Sequence, residues 1–161
     1  MNSNRREFFL GAGVGLAVVA FGISARGATR RFPLEHSDAE WRKLLSPAAY
    51  DVLRNEGTEA PWSSPLEYEH RHGTYSCAGC DLPLFSSETK FESGTGWPSF
   101  YRPLPHAVET REDRSFFELR TEVHCARCGG HLGHLFSDGP KPTGLRYCMD
   151  GVALKFKALS A

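Results

Sequence analysis

Residues 123–150 read VHCARCGGHLGHLFSDGPKPTGLRYCMD, and this stretch decides how the chain can fold. It holds a Cys-x-x-Cys pair (Cys125, Cys128), two histidines three apart (His131, His134) and an unpaired fifth cysteine, Cys148. A matching pair, Cys77 and Cys80, lies upstream in YSCAGCDLPLF, with 44 residues between Cys80 and Cys125. Two such turns are what one tetrahedral zinc ion needs, because each knuckle presents two thiolates to the same metal. Two disulfides and a spare thiol would also use five cysteines, but a disulfide within Cys-x-x-Cys belongs to redox motifs more than to structural frameworks. The paired spacing therefore favours one structural Zn2+ per chain, held by Cys77, Cys80, Cys125 and Cys128. Four thiolates close the coordination shell and leave no position for water or substrate. Chemistry is expected at the thiol left over, Cys148.

Working outward, 161 residues suit one domain with a single core. A composition 40% hydrophobic and 24% charged excludes both a disordered chain and a multi-pass membrane protein. Sixteen glycines and ten prolines point to many turns and few long helices. Residues 1–28 carry Arg5, Arg6 and Arg26 against Glu7, so the remainder holds 16 basic and 18 acidic side chains. No basic excess is left for a nucleic-acid partner.

The first 28 residues do not read as part of the fold. Arg5-Arg6-Glu7-Phe8-Phe9-Leu10 is a twin-arginine pattern, followed by a glycine- and alanine-rich apolar stretch and small residues around Ala25 to Ala28. That order predicts an export signal over 1–28 and a periplasmic location, with an uncleaved membrane anchor as the alternative. Residues 29–36 form a polar linker, the folded domain spans 37–157, and 158–161 are a tail. Ser37-Asp38-Ala39-Glu40 is a capping box for a short amphipathic helix, and Ser46-Pro47 starts a second that stops at Gly57. From Gly73 the period changes to two: 73–76, 116–123 and 152–156 read as strands, 116–123 most clearly. With no βαβ repeat, the expectation is a mainly β, antiparallel domain.

Cys148 lies in Gly-Leu-Arg146-Tyr-Cys148-Met, where Arg146 would share its strand face and favour a thiolate. Taken alone, the thiol could equally be a small buried hydrophobe. His131 and His134 sit among glycines that allow close approach, and histidines beside a thiol can hold it ionised or protonate a substrate oxygen. Trp97, between Gly96 and Pro98 in SGTGWPSF, is either a core plug or a flat apolar wall for a ligand.

Together WRKLLSP, CAGC, CARC, SGTGWPSF, CGGHLGHLFSDGP and PTGLRYCM resemble the B-type methionine-R-sulfoxide reductases over residues 37–157. The resemblance implies two antiparallel sheets in a barrel-like arrangement, short N-terminal helices and a zinc site remote from the catalytic thiol. It makes Cys148 the nucleophile, Trp97 the wall for the substrate's S-methyl group, and His131 and His134 the polar side that binds the sulfoxide oxygen. Phe136 and Arg146 join Trp97 as substrate contacts. The implied partners are oxidised proteins or peptides bearing methionine-R-sulfoxide and an external, thioredoxin-like thiol reductant, with the enzyme a monomer.

Two positions depart from the family pattern. Thr95 stands where many relatives have a resolving cysteine, so a sulfenic acid on Cys148 must be reduced directly by the external thiol. Asp150 stands where relatives commonly carry asparagine, and is counted with the catalytic residues. A zinc-stabilised binding module and a thiol peroxidase or redox sensor are the rival readings; Trp97, His131, His134 and Cys148 together favour the reductase.

Overall fold

A computed structural model describes residues 31–115 and 119–160. The expected export signal, the start of the linker and residues 116–118 lie outside the described residues. Two short helices open the domain, α1 (Asp38–Leu44) and α2 (Pro47–Asn55). The capping box forms as read, with the Ser37 hydroxyl and the Glu40 carboxylate each satisfying the other residue's backbone N–H. Ser46 caps α2 and Pro47 occupies its first turn, where no N–H is needed. The helix ends at Asn55, two residues before Gly57, with Glu56 as its cap. Glu56 takes the left-handed conformation, at φ 59°, and Gly57 is needed for space instead, since a Cβ there would meet the Asp51 carboxylate at 2.3 Å.

Nine strands follow among the described residues. β1 (Gly73–Cys77), β2 (Pro83–Ser86) and β9 (Leu154–Ala158) make a three-stranded sheet in the order β2-β1-β9. β3 (Lys90–Phe91), β4 (Ser99–Phe100), β5 (Val108–Asp113), β6 (Arg120–Cys125), β7 (His131–Phe136) and β8 (Arg146–Met149) form a second sheet, ordered β3-β4-β8-β7-β6-β5. All pairings are antiparallel, as expected. The sheets do not close into a barrel; β3 and β5 are the two edges of the larger one. Buried aromatic rings join the layers. Phe85 of β2 stacks on Phe100 of β4 at 4.4 Å, and Tyr75 of β1 meets Phe100 edge-on at 4.9 Å. Such pairs add about 0.5–1.5 kcal/mol each beyond the area they bury.

Two strand boundaries differ from the sequence reading. β6 starts at Arg120, with Leu119 exposed just before it. The segment read as a strand from Val152 begins instead as a 3-10 turn, Gly151–Ala153. Its first two backbone N–H groups donate to the Glu59 carboxylate, which takes them from any ladder.

The four paired cysteines converge where the sheets meet. Cys77 ends β1 and Cys80 lies in the following turn, while Cys125 ends β6 and Cys128 lies in the turn to β7. The Cys77 and Cys128 sulfurs are 3.7 Å apart, those of Cys80 and Cys125 3.5 Å, and all four lie within 4.8 Å of one another. A tetrahedral ion with bonds of about 2.3 Å requires sulfur–sulfur edges of about 3.8 Å, so this cluster fits a metal ion. Glycines let the helices pack over it. A Cβ on Gly130 would lie 2.8 Å from Leu53 of α2, and one on Gly79 would lie 3.4 Å from Trp41 of α1. Arg54 of α2 also donates to the Cys128 carbonyl at 3.1 Å.

The cluster ties strands of both sheets and the helices above them, so a metal ion bound there would be part of the fold. Binding to such a site is worth about 10–16 kcal/mol in small zinc domains, comparable with the whole stability of about 5–15 kcal/mol of an ordinary domain. The protein is expected to hold one metal ion per chain, and Cys125→Ala or exhaustive chelation to abolish cooperative thermal unfolding. A metal-depleted protein with an unchanged melting temperature would contradict a structural role.

Candidate functional site

The site grows from the pairing of β7 with β8, which sets His134 opposite Cys148 and Gly133 opposite Met149. Ser99 of β4 flanks Cys148 on the other side. In a regular strand, residues three apart face opposite sides. The rings of His131 and His134 nevertheless lie 5.3 Å apart. Gly133, at φ 143°, breaks the alternation between them, and β7 carries a bulge there, with Leu132 the extra residue opposite Val123 and His124 of β6. No other residue fits at this position, since a Cβ would stand 2.1 Å from the Cys148 carbonyl oxygen.

A pocket of about 130 Å³ opens over this seam. Cys148, His134, Gly133 and Asp150 form its floor, and Trp97, Phe136, Arg120 and Thr58 its walls. Trp97 is a wall and not a core plug: it is half-buried, faces the pocket, and is fixed by its indole N–H donating to the Glu59 carbonyl at 3.2 Å. The structure thus places Cys148, His134, Trp97, Phe136 and Asp150 around one pocket.

His131 and Arg146 do not line the pocket. His131 is 3% exposed, and its Nδ1 lies 2.8 Å from Glu122, itself buried. Its Nε2 is buried without a hydrogen-bond partner among the described residues. Arg146 donates through two nitrogens to Asp138, at 2.9 Å each, and lies over the Phe136 ring at 4.2 Å. Both therefore stand outside the pocket lining, although the Arg146 charge still reaches the Cys148 thiol. His124, the residue before Cys125, is packed between Glu109 at 3.5 Å and Glu122 at 3.8 Å.

Burial dominates the titration of the site. It pushes the Cys148 thiol above its ordinary value; the Thr95 hydroxyl, 3.8 Å from the sulfur, and the Arg146 charge pull it back, while Asp150 adds to the push. The resting group is therefore a thiol at neutral pH. Burial also raises Asp150 to about 6, against a backbone hydrogen bond from Glu59 at 2.8 Å. It lowers His134, although Asp113 opposes this at 2.8 Å from Nε2. Hydrogen bonds from Ser115, His134 and Arg120 hold Asp113 well below the usual carboxylate range. Nε2 of neutral His134 thus carries the proton shared with Asp113, and Nδ1 is the acceptor nitrogen. Burial pushes Glu122 up, yet the His131 hydrogen bond and the Arg111 charge overcome it and leave it lowered. His131 accordingly donates from Nδ1 to the Glu122 carboxylate.

Sequence reasoning missed Thr58, Glu59, Asp113, Arg120 and Glu122. Only Glu122 left a trace, as a carboxylate inside the strand pattern ahead of Cys125. Glu59 supports the site through its backbone, a role no side-chain motif signals.

Known proteins are similar to this chain in sequence. The family described as the SelR domain matches residues 45–158. A "Peptide methionine sulfoxide reductase MsrB" of Methanosarcina barkeri is 56% identical over 125 residues, 77% of this chain and 88% of that one. Its namesakes in Pseudomonas putida and Agrobacterium fabrum are 57% and 52% identical over 120 and 122 residues, covering 73% and 75% of this chain and 90% of each relative. With the family match spanning most of the sequence and relatives more than half identical along nearly their whole length, the chain belongs to the SelR-domain family of MsrB-type peptide methionine sulfoxide reductases.

Proposed function

We propose that this chain reduces the R epimer of methionine sulfoxide in proteins and peptides to methionine, with Cys148 as nucleophile and an external thiol as reductant. The observation that carries this is a half-buried thiol paired across strands with a histidine at the floor of a pocket walled by Trp97 and Phe136. A pocket of about 130 Å³ is on the scale of a side-chain end, a sulfoxide and its methyl group, rather than of a peptide backbone.

In this reading the methyl group lies against Trp97, and the oxygen turns toward the polar side formed by His134 and Asp150. The Cys148 sulfur attacks the sulfoxide sulfur. Its proton leaves toward Nδ1 of His134, and a proton is delivered to the oxygen. The oxygen ends on Cys148 as a sulfenic acid, and methionine departs with two electrons gained. Two external thiols then restore the Cys148 thiol, releasing water and their own disulfide. The other four sulfurs sit in the metal cluster, and Thr95 occupies the position beside Cys148, so no resolving partner stands within the domain. His131, held by Glu122, supports His134 from behind. Zn2+ is the ion that four thiolates favour. Residues 1–28 would deliver the domain outside the cytoplasm.

The test offers blocked methionine R- and S-sulfoxides with a thiol reductant. Only the R epimer should be consumed, and Cys148→Ser should lose at least about a thousandfold in rate, as removal of a covalent nucleophile does, without losing metal. Equal use of both epimers, or substantial activity in the variant, would overturn the assignment.

Asp150 yields a pH-dependent prediction. Its carboxyl ordinarily titrates near 3.8 but near 6 in the fold, so the folded state disfavours its charge. The stability it permits is present below about pH 4, falls as pH rises to about 6, and stays lost above. Asp150→Asn keeps an acceptor for the Glu59 N–H and removes the charge. The variant's advantage over the native protein should therefore be about 2–3 kcal/mol larger at pH 8 than at pH 4, read from denaturant midpoints. An advantage that does not change with pH would show that Asp150 ionises freely.

A further inference from the structure

Trp62 is a large apolar side chain left in solvent, 51% exposed. Its backbone sits at φ 65°, a left-handed conformation that a tryptophan disfavours. Two features hold it there. Its N–H donates to the Gly96 carbonyl at 2.7 Å, and its indole rests directly on Gly96, where a Cβ would lie 2.9 Å from Cδ2 and Cε2. Gly96 is itself at φ 90°. Neither the strain nor the exposure serves folding, and persistent strain of this kind collects at functional sites.

The position explains both. Gly96 immediately precedes Trp97, a wall of the pocket. The segment leading to Trp62 starts at Thr58, another wall, and passes Glu59, whose carbonyl accepts the Trp97 indole N–H. Residues 58–62 thus run outward from the pocket wall and end in an exposed indole braced against the neighbouring loop. A pocket of about 130 Å³ takes only the end of an oxidised methionine side chain. The polypeptide bearing that side chain must cross the rim.

We propose that Trp62 is a docking platform for the substrate polypeptide, its indole packing against the residues that flank the methionine sulfoxide. An aromatic face fits this task, because it offers large apolar area with few rotamers to fix and accepts varied sequences. The platform rests on the reductase reading and adds to it a residue that selects peptide-borne over isolated substrate.

The test compares two substrates, N-acetyl-methionine-R-sulfoxide amide and a peptide extending several residues on both sides of the same group. Trp62→Gly suits the left-handed backbone, as does Trp62→Asn, so both are expected to fold with melting temperatures no lower than native. Each should raise KM for the peptide about five- to tenfold, the scale of a lost aromatic contact, with kcat unchanged. Both constants for the blocked amino acid should stay at native values. Trp62→Phe should restore most of the peptide affinity. Leu159→Ala, which removes an exposed leucine beyond β9 in the other sheet, should alter neither substrate. Equal losses on both substrates, or none on either, would overturn the platform while leaving the reductase intact. A native protein that reduces neither substrate would instead overturn the reductase reading, and the platform with it.

Discussion

Four sulfurs placed where two turns meet govern this fold. Cys77 and Cys80 belong to the turn after β1, Cys125 and Cys128 to the turn after β6, and their mutual approach joins one sheet to the other. The helices are not independent of this joint, because Trp41 and Leu53 pack on the glycines of the two knuckles. β7 leaves the second knuckle at His131, so the joint also fixes where the catalytic strand begins. A metal ion held there would be distant in role from the chemistry yet would set its coordinates.

From that origin the site is shaped by close backbone approach and burial. Gly133 brings β7 against the Cys148 carbonyl and turns the strand so that both histidine rings gather on one side. The same enclosure that makes a pocket opposes charge within it. Cys148 is pushed up, Asp150 is pushed up and His134 is pushed down. A resting thiol beside a neutral histidine is an advantage for sulfoxide reduction, since the reaction needs a proton on the departing oxygen and the thiol carries one. The ionised carboxylates Asp113 and Glu122 lie one layer back, where they fix the histidine tautomers without crowding the sulfur.

Much of this was legible in the sequence because its signals are local. Cys-x-x-Cys spacing, the Ser37–Glu40 capping box and an aromatic between glycine and proline each declare a geometry within a few residues. Asp113, Arg120, Glu122 and Glu59 are not legible in that way. Asp113 and Arg120 meet through the register of β5 with β6, Glu122 reaches His131 across the β7 bulge, and Glu59 enters from a loop. His131 and His134 looked equivalent in sequence, yet Gly133 sends one to the pocket and leaves the other buried behind it. The stop of α2 was read at Gly57 because glycine usually supplies the left-handed residue; here Glu56 supplies it, and the glycine makes room for Asp51.

The central claim is that Cys148 alone takes the oxygen from the substrate. Mass spectrometry of the native protein after one equivalent of a blocked methionine-R-sulfoxide, with no reductant present, tests it directly. A gain of one oxygen, about 16 Da, mapping to Cys148 and trapped by a sulfenic-specific reagent, is the predicted result. A loss of two hydrogens, marking a disulfide between Cys148 and one of the cluster cysteines, would contradict it.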